Sequence, residues 1–313
     1  MDTTTRTPWP AKGTTVVADA GLETWLLFQR GVELPAFAAY PLAGTATGRT
    51  LLTEYLKHFA SIASSIGAAV VLDAATWRAN PDWARVLGHD LDVLGSLIDS
   101  CVGVVAEVRA TWAGDQPFLI SGPVGPRGDG YQVDHAMTAD AAAEYHGFQV
   151  KRMADAGVDA ITALTMGYVE EAAGIAVAAR AAGVPSVVSF TVETNGRLPI
   201  GMPLGEAIEA TDAATDAYPV HYMINCAHPT HFDHVLDPAA PWAHRIGGIR
   251  ANASALSHAE LDEMVELDEG DPDDLARRYV ALRHQLPNLH VVGGCCGTDH
   301  RHVAAIATAW QHR

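Results

Sequence analysis

Residues 138–191 read TADAAAEYHGFQVKRMADAGVDAITALTMGYVEEAAGIAVAARAAGVPSVVSFT. Alanine-rich runs with one apolar face alternate here with short, continuously apolar, β-branched runs, and glycines stand between them. The periodicity predicts a helix over 138–156 stopped by Gly157, a strand over 158–164, a helix over 168–182 ended by Gly183, and a strand over 185–191. Strands that are apolar at every position need cover on both faces, which is the condition of a parallel sheet with helices on each side.

The same unit extends in both directions from this stretch. Strands are expected at 15–19, 68–73 and 117–121 upstream, and at 220–225, 245–251 and 289–293 downstream. Helices are expected at 22–30, 51–65, 89–111, 203–216, 272–285 and 299–311. Eight strands alternating with helices, without a linker-like change in composition, predict an α/β chain folded as one (β/α)8 barrel. The domain is expected to span 1–313, with 1–13 a flexible N-terminal extension. An open doubly wound sheet is the competing architecture, but no Gly-x-Gly-x-x-Gly follows the first strand.

The 313 residues are 49% apolar and 18% charged, a globular composition rather than a disordered one. Twenty Lys and Arg stand against 37 Asp and Glu, a formal net charge of −17. That balance repels a phosphate backbone and excludes duplex binding. No run of about 20 apolar residues is present to span a bilayer, and the opening MDTTTRTPWPAKG lacks the apolar segment of a secretion signal. The expected setting is the cytoplasm, with small molecules as partners.

A barrel places its chemistry at the C-terminal ends of its strands. The four cysteines are Cys101, Cys226, Cys295 and Cys296, and all but Cys101 fall at such ends. Three thiolates within reach of one point make a zinc site with one tetrahedral position open. The glycines of GGCCGT allow two consecutive cysteines to turn toward one ion, which a regular strand forbids. Ordinary buried thiols are the plain alternative; a disulfide between neighbouring cysteines is disfavoured by its geometry. With so much sulfur on the metal, a bound nucleophilic thiolate is favoured over a strongly acidic bound water, although hydrolysis is not removed by the ligands alone.

Four segments, DAGLETWLLFQRG at 19–31, SGPVGPRGDGY at 121–131, INCAHP at 224–229 and VVGGCCGTDH at 291–300, closely resemble the homocysteine S-methyltransferase family, relatives of betaine-homocysteine methyltransferase, over about 14–311. The resemblance implies a Zn2+-dependent methyltransferase barrel that moves a methyl group from an onium donor (S-methylmethionine, S-adenosylmethionine or betaine) to the thiol of L-homocysteine, giving methionine. It implies Cys226, Cys295 and Cys296 as zinc ligands and Asp19 as a substrate-binding carboxylate, in a monomer or homodimer. The open metal position is expected to take the substrate thiol; Asn225 is expected to orient the substrate-binding pocket, or else to fill that position, as water does, when no substrate is present.

One departure stands out: the family's Phe-Glu-Thr at the fourth strand, whose glutamate contacts the homocysteine ammonium, is ALTMGY here, so Leu164 stands in its place. Glu193 or Glu170 is expected to substitute, or the acceptor is a different small thiol methylated or bound by the same fold. A zinc- or thiol-binding protein without turnover is the reading from another class. Asn252 in IRANAS is expected to hydrogen-bond the amino acid carboxylate, beside backbone N–H groups of 251–254, with Arg250 lower on the same face. Trp77 and Tyr131 are candidates for a donor pocket, since an aromatic face suits an onium cation. His228 and His231 are expected off the metal, either behind its ligands or at the surface, His302 in solvent, and Thr298 as the N-cap of the last helix.

Overall fold

A computed structural model describes residues 6–11 and 13–311. Eight parallel strands close on themselves in sequence order: β1 Val16–Ala18, β2 Ala69–Asp73, β3 Phe118–Val124, β4 Ala160–Met166, β5 Ser186–Phe190, β6 Tyr222–Asn225, β7 Ile246–Ala251 and β8 Val291–Gly294. β8 returns to β1 through Val16 opposite Val291. The (β/α)8 barrel read from the sequence is the fold.

The helices are α1 Leu22–Thr24, continued as a π-helical turn Trp25–Gln29, then α2 Ala46–Ser65, α3 Pro81–Val86, α4 Leu91–Ala110, α5 Ala139–Ala156, α6 Val169–Ala181, α7 Leu204–Thr215, α8 His258–Asp262, α9 Pro272–Leu282 and α10 His300–Gln311. Local chemistry sets their ends. Thr138 caps α5 by accepting from Ala141 N–H, and Gly157 closes it at φ 96°.

Alternation along the strands divides the core in two. Val17, Val70 and Leu72 face the helices, whereas Val16, Ala18, Val71, Leu119, Leu164, Val187, Met223 and Val291 fill the barrel interior. The apolar character at both phases of each strand thus serves two different cores.

The segment expected as a flexible extension lies partly outside the described residues, at 1–5 and 12. Of the rest, Arg6 Nε donates to Val158 O at 3.1 Å, and Trp9 packs on the ring of His221 at 4.9 Å and joins the interior core from the strands' N-terminal end. Two strands run further than the sequence pattern indicated. β3 continues through Gly122–Pro123 to Val124, and β4 passes Leu164 to Met166 over a register shift. At that shift Thr165 takes φ 66°, and Cys226 just past β6 takes φ 53°. Both are non-glycine residues in the left-handed region, and both stand at the site.

Candidate active site at the C-terminal rim

A cavity of about 390 Å³ opens at the C-terminal ends of the strands, with Cys226, Cys295 and Cys296 on its wall. The three sulfurs lie within 4.8 Å of one another, the one cluster of metal-ligating side chains among the described residues. Cys226 and Cys295 are paired as a disulfide, and Cys296 is a free thiol. Burial pushes the Cys296 thiol up to about 12, the Glu23 carboxylate adds to that rise, and a hydrogen bond from Tyr131 opposes it. Zinc–sulfur bonds of about 2.3 Å put tetrahedral thiolates about 3.8 Å apart. The donor set and its convergence therefore fit a zinc ion once the disulfide is reduced.

β8 delivers its cysteines through a local turn. A Cβ on Gly294 would come 2.0 Å from Thr298 Oγ1, so the chain passes only as glycine. Gly297 closes the turn at φ 78°. Thr298 Oγ1 donates to Cys295 O at 2.6 Å, so this hydroxyl fastens the cysteine turn instead of capping α10. Asp299 Oδ1 accepts from Arg301 N–H at 2.8 Å in that role.

β6 delivers Cys226 by long-range support. Asn225 is fully buried; its Oδ1 accepts from Thr165 N–H at 3.0 Å and Ser189 Oγ at 2.6 Å. Its Nδ2 donates to Thr165 Oγ1 at 2.8 Å and reaches Cys295 Sγ at 3.9 Å. Thr165 Oγ1 lies 3.8 Å from Cys226 Sγ. Of the two roles expected for Asn225, orienting the pocket or filling the open metal position, the contacts favour the first, because its oxygen is committed to β4 and β5. It braces the cysteines and leaves that position to other groups.

Asp19 also has an occupant. Arg250 is buried inside the barrel, with Nη2 on Asp19 Oδ1, Nη1 on Asp73 Oδ2 and Nε donating to Gly294 O at 3.2 Å. Asp19 Oδ2 accepts from Asp73 N–H at 3.1 Å. Burial pushes the Asp19 carboxyl up to about 7, with Arg250 pulling it down and Asp73 adding to the rise. The sequence placed Arg250 on this face but did not show that it would take the carboxylate expected to bind substrate.

Asn252 Nδ2 donates to Cys226 O at 3.1 Å, while its Oδ1 is buried without a partner. A carbonyl only accepts, so the amide is oriented with its oxygen open. It offers an acceptor, the wrong polarity for the carboxylate expected there. The neighbouring N–H groups are also spent: Ala251 on Tyr279 Oη, Asn252 on Ala227 O and Ala253 on Cys296 O. The anion cradle expected over 251–254 is therefore largely filled by the protein itself.

Glu193 does not line the cavity; its Oε1 faces His258 Nδ1 at 3.2 Å. His258 does line it, with Nε2 donating to Cys226 O at 2.6 Å and its ring stacked on Tyr131 at 3.7 Å. Sequence reading passed over His258, because only the folded chain brings the start of α8 over β6. Glu170 is exposed at the start of α6 and is not on the cavity wall. Leu164 is on it, 9% exposed, so neither acid proposed to replace the missing glutamate reaches the cavity.

Trp77 lines the cavity, with Nε1 donating to Leu164 O at 3.2 Å. The Arg78 guanidinium lies 4.7 Å from its ring centroid, so one of the faces expected for a donor cation is already covered. Tyr131 stands against Cys296 rather than apart in a separate donor pocket. His228 and His231 pair with Thr230 Oγ1 and Ala255 O, clear of the sulfur cluster. His302 is 1% exposed and bound to Asp299 and Glu269 O, so its expected place in solvent is corrected.

A closed barrel with converging thiols on its C-terminal rim defines a class of metal-capable barrel enzymes. The chain belongs to the homocysteine S-methyltransferase family, whose model matches residues 16–310; it is a methyltransferase by that membership. Its fold is similar to that of the Escherichia coli homocysteine methyltransferase MmuM. The oxidized form of MmuM aligns at TM-score 0.72 and 20% identity, covering 94% of this chain and 95% of that one. The metallated form gives the same score and identity over 95% and 96%. A search of the curated proteins by sequence finds no match. No helix among the described residues is long and apolar enough to cross a membrane.

Proposed function

We propose that this chain transfers a methyl group from an onium donor (S-methylmethionine, S-adenosylmethionine or betaine) to the thiol of L-homocysteine, forming methionine, with Zn2+ held by Cys226, Cys295 and Cys296. The observation that carries the reading is the convergence of three sulfurs on the wall of one cavity at the C-terminal rim. When bound, zinc supplies a Lewis acid that lets a thiol be held as thiolate near neutral pH. In the transfer a sulfur–carbon bond forms to the methyl group while the donor's bond to it breaks, and the leaving group departs neutral. Opposite charges cancel, so the step asks the protein for alignment and exclusion of water more than for an acid or base.

The chain's own residues are suited to that work. Asn225 and Thr165 direct hydrogen-bonding groups at two of the cysteine sulfurs, and Tyr131 at the third. Trp77 and Phe37, 6.4 Å apart edge to face, wall the cavity with aromatic surface for the donor. Three thiols of this kind call for a reducing compartment such as the cytoplasm. A different small thiol is the second reading, favoured because Arg250 already occupies Asp19.

The test is anaerobic purification, zinc quantification, and mass spectrometry of methylated products across a panel of donors and thiols. Zinc K-edge absorption with and without L-homocysteine completes it. One zinc per chain, three sulfur neighbours rising to four, and methionine formation are expected. Absence of stoichiometric zinc sinks the proposal, and three sulfurs that stay three with homocysteine point to the other thiols.

A further inference from the structure

The cavity wall carries seven carboxylates, and their partners separate them. Asp19 and Asp73 are both held by Arg250. Asp129 Oδ1 accepts from Tyr131 and Gln132 N–H within its own turn, and Asp268 accepts from Ser254 Oγ and Gly270 N–H. Asp262 and Glu266 are exposed at the rim. Glu23 remains. It is half-buried in the first turn of α1, and among the described residues no cation lies within ion-pair distance of it.

The turn that holds Glu23 is packed directly on the cysteine turn. A Cβ on Gly21 would come 2.5 Å from Cys295 O, and Thr24 Oγ1 accepts from Gly297 N–H at 3.2 Å. A carboxylate withdrawn from water without a counter-charge is costly, and a ligand's cation removes that cost. Burial pushes Glu23 up to about 7, against the opposing pull of its own backbone N–H and of the Arg78 and Arg250 charges, neither of which is paired with it.

We propose that Glu23 is the binding residue for the α-ammonium group of the thiol acceptor, taking over at α1 the charge that Leu164 does not supply on β4. This deepens the homocysteine reading above and rests on it. The acceptor's sulfur goes to the cysteine cluster, and in an amino acid thiol the ammonium is only a few bonds from the sulfur. A donor aligned for in-line displacement approaches from the opposite side, so a cation beside the cysteine turn belongs to the acceptor. Asn252 Oδ1 is a second open acceptor on the same cavity wall.

The experiment compares the zinc-loaded wild type, Glu23→Gln and the double variant Glu23→Gln/Leu164→Glu on L-homocysteine and on its des-amino analogue, 4-mercaptobutanoate. Steady-state methylation and calorimetric binding of each thiol are both recorded. Glu23→Gln is expected to raise the homocysteine KM and Kd roughly 10- to 100-fold, the scale of one lost charged hydrogen bond. It should leave kcat, the donor KM and the 4-mercaptobutanoate values nearly unchanged, and Leu164→Glu should restore much of the homocysteine preference. Equal loss for both thiols, or a change confined to the donor KM, overturns the assignment. A wild type that binds and methylates neither thiol sinks the homocysteine reading itself, a failure visible before any variant is made.

Discussion

The ends of β6 and β8 bring cysteines to the same point by opposite means. At β8 the backbone work falls to glycine: Gly294 admits the close approach of Thr298, and Gly297 takes the left-handed turn, so Cys295 and Cys296 bear no unusual φ. At β6 the left-handed residue is Cys226 itself, at φ 53°. A side chain in that region costs about 1–2 kcal/mol. The cost is offset by contacts from distant elements: Asn225 and Thr165 on one side, Asn252 and His258 on the Cys226 carbonyl, and Arg250 O accepting the Cys226 N–H at 3.1 Å. One cysteine end is thus built into a local motif, while the other is imposed by the fold around it.

The largest effect expected treats both ends alike. Replacing Cys226, Cys295 or Cys296 by serine should lower zinc affinity by more than about 100-fold, beyond what loss of a supporting residue costs, and should abolish methyl transfer. Zinc retained after dialysis, measured variant by variant, checks this. Retention by Cys296→Ser alone would reduce the site to the Cys226–Cys295 pair.

Next in size is Arg250→Met, which strips the counter-charge from Asp19 and Asp73 inside the barrel. Removing one partner of a buried ion pair costs about 3–5 kcal/mol, read as a fall in unfolding free energy by urea denaturation. The Arg250 side chain also holds Gly294 O, whereas its hold on Cys226 is through backbone. The surviving fold should therefore show the β8 turn loosened before the β6 end, by hydrogen exchange.

Asn225→Ala and Gly297→Ala sharpen the contrast between the two ends. The first removes the brace of β6 and should cost about 1–3 kcal/mol together with about 10- to 100-fold in zinc affinity. The second forces a Cβ into a left-handed turn 2.9 Å from Asp268 O and should cost about 1–2 kcal/mol of stability. Thermal denaturation and competitive zinc titration of the pair decide it. If Gly297→Ala weakens zinc more than Asn225→Ala does, the long-range brace is not what sets Cys226.

The two ends also differ in how far they can be read from the chain. Gly-Gly-Cys-Cys-Gly-Thr announces a turn because glycine's conformational freedom is a property of the residue. Asn225–Cys226 shows a candidate ligand, but its φ and its brace depend on Thr165 and Ser189, residues 60 and 36 positions away. The same separation explains His258, which reached the site unannounced from the start of α8. It also explains why Glu193 and Glu170, plausible as acids near strand ends, lie off the cavity wall, whereas Glu23 lies on it.

By itself the sequence determined the repeated strand–helix unit, the barrel it closes into and the identity of the three converging thiols. Each of these rests on local periodicity or on residues delivered by strand ends, which a parallel barrel places by rule. Only the tertiary structure decided which charges inside the barrel are spent and which remain open. Arg250 reaches across to β1 and β2, neutralising the carboxylate that sequence reading gave to the substrate, while Glu23 has no cation within ion-pair distance among the described residues. Ion pairing is a matter of distances between side chains brought together from all around the barrel. No pattern along the chain carries those distances.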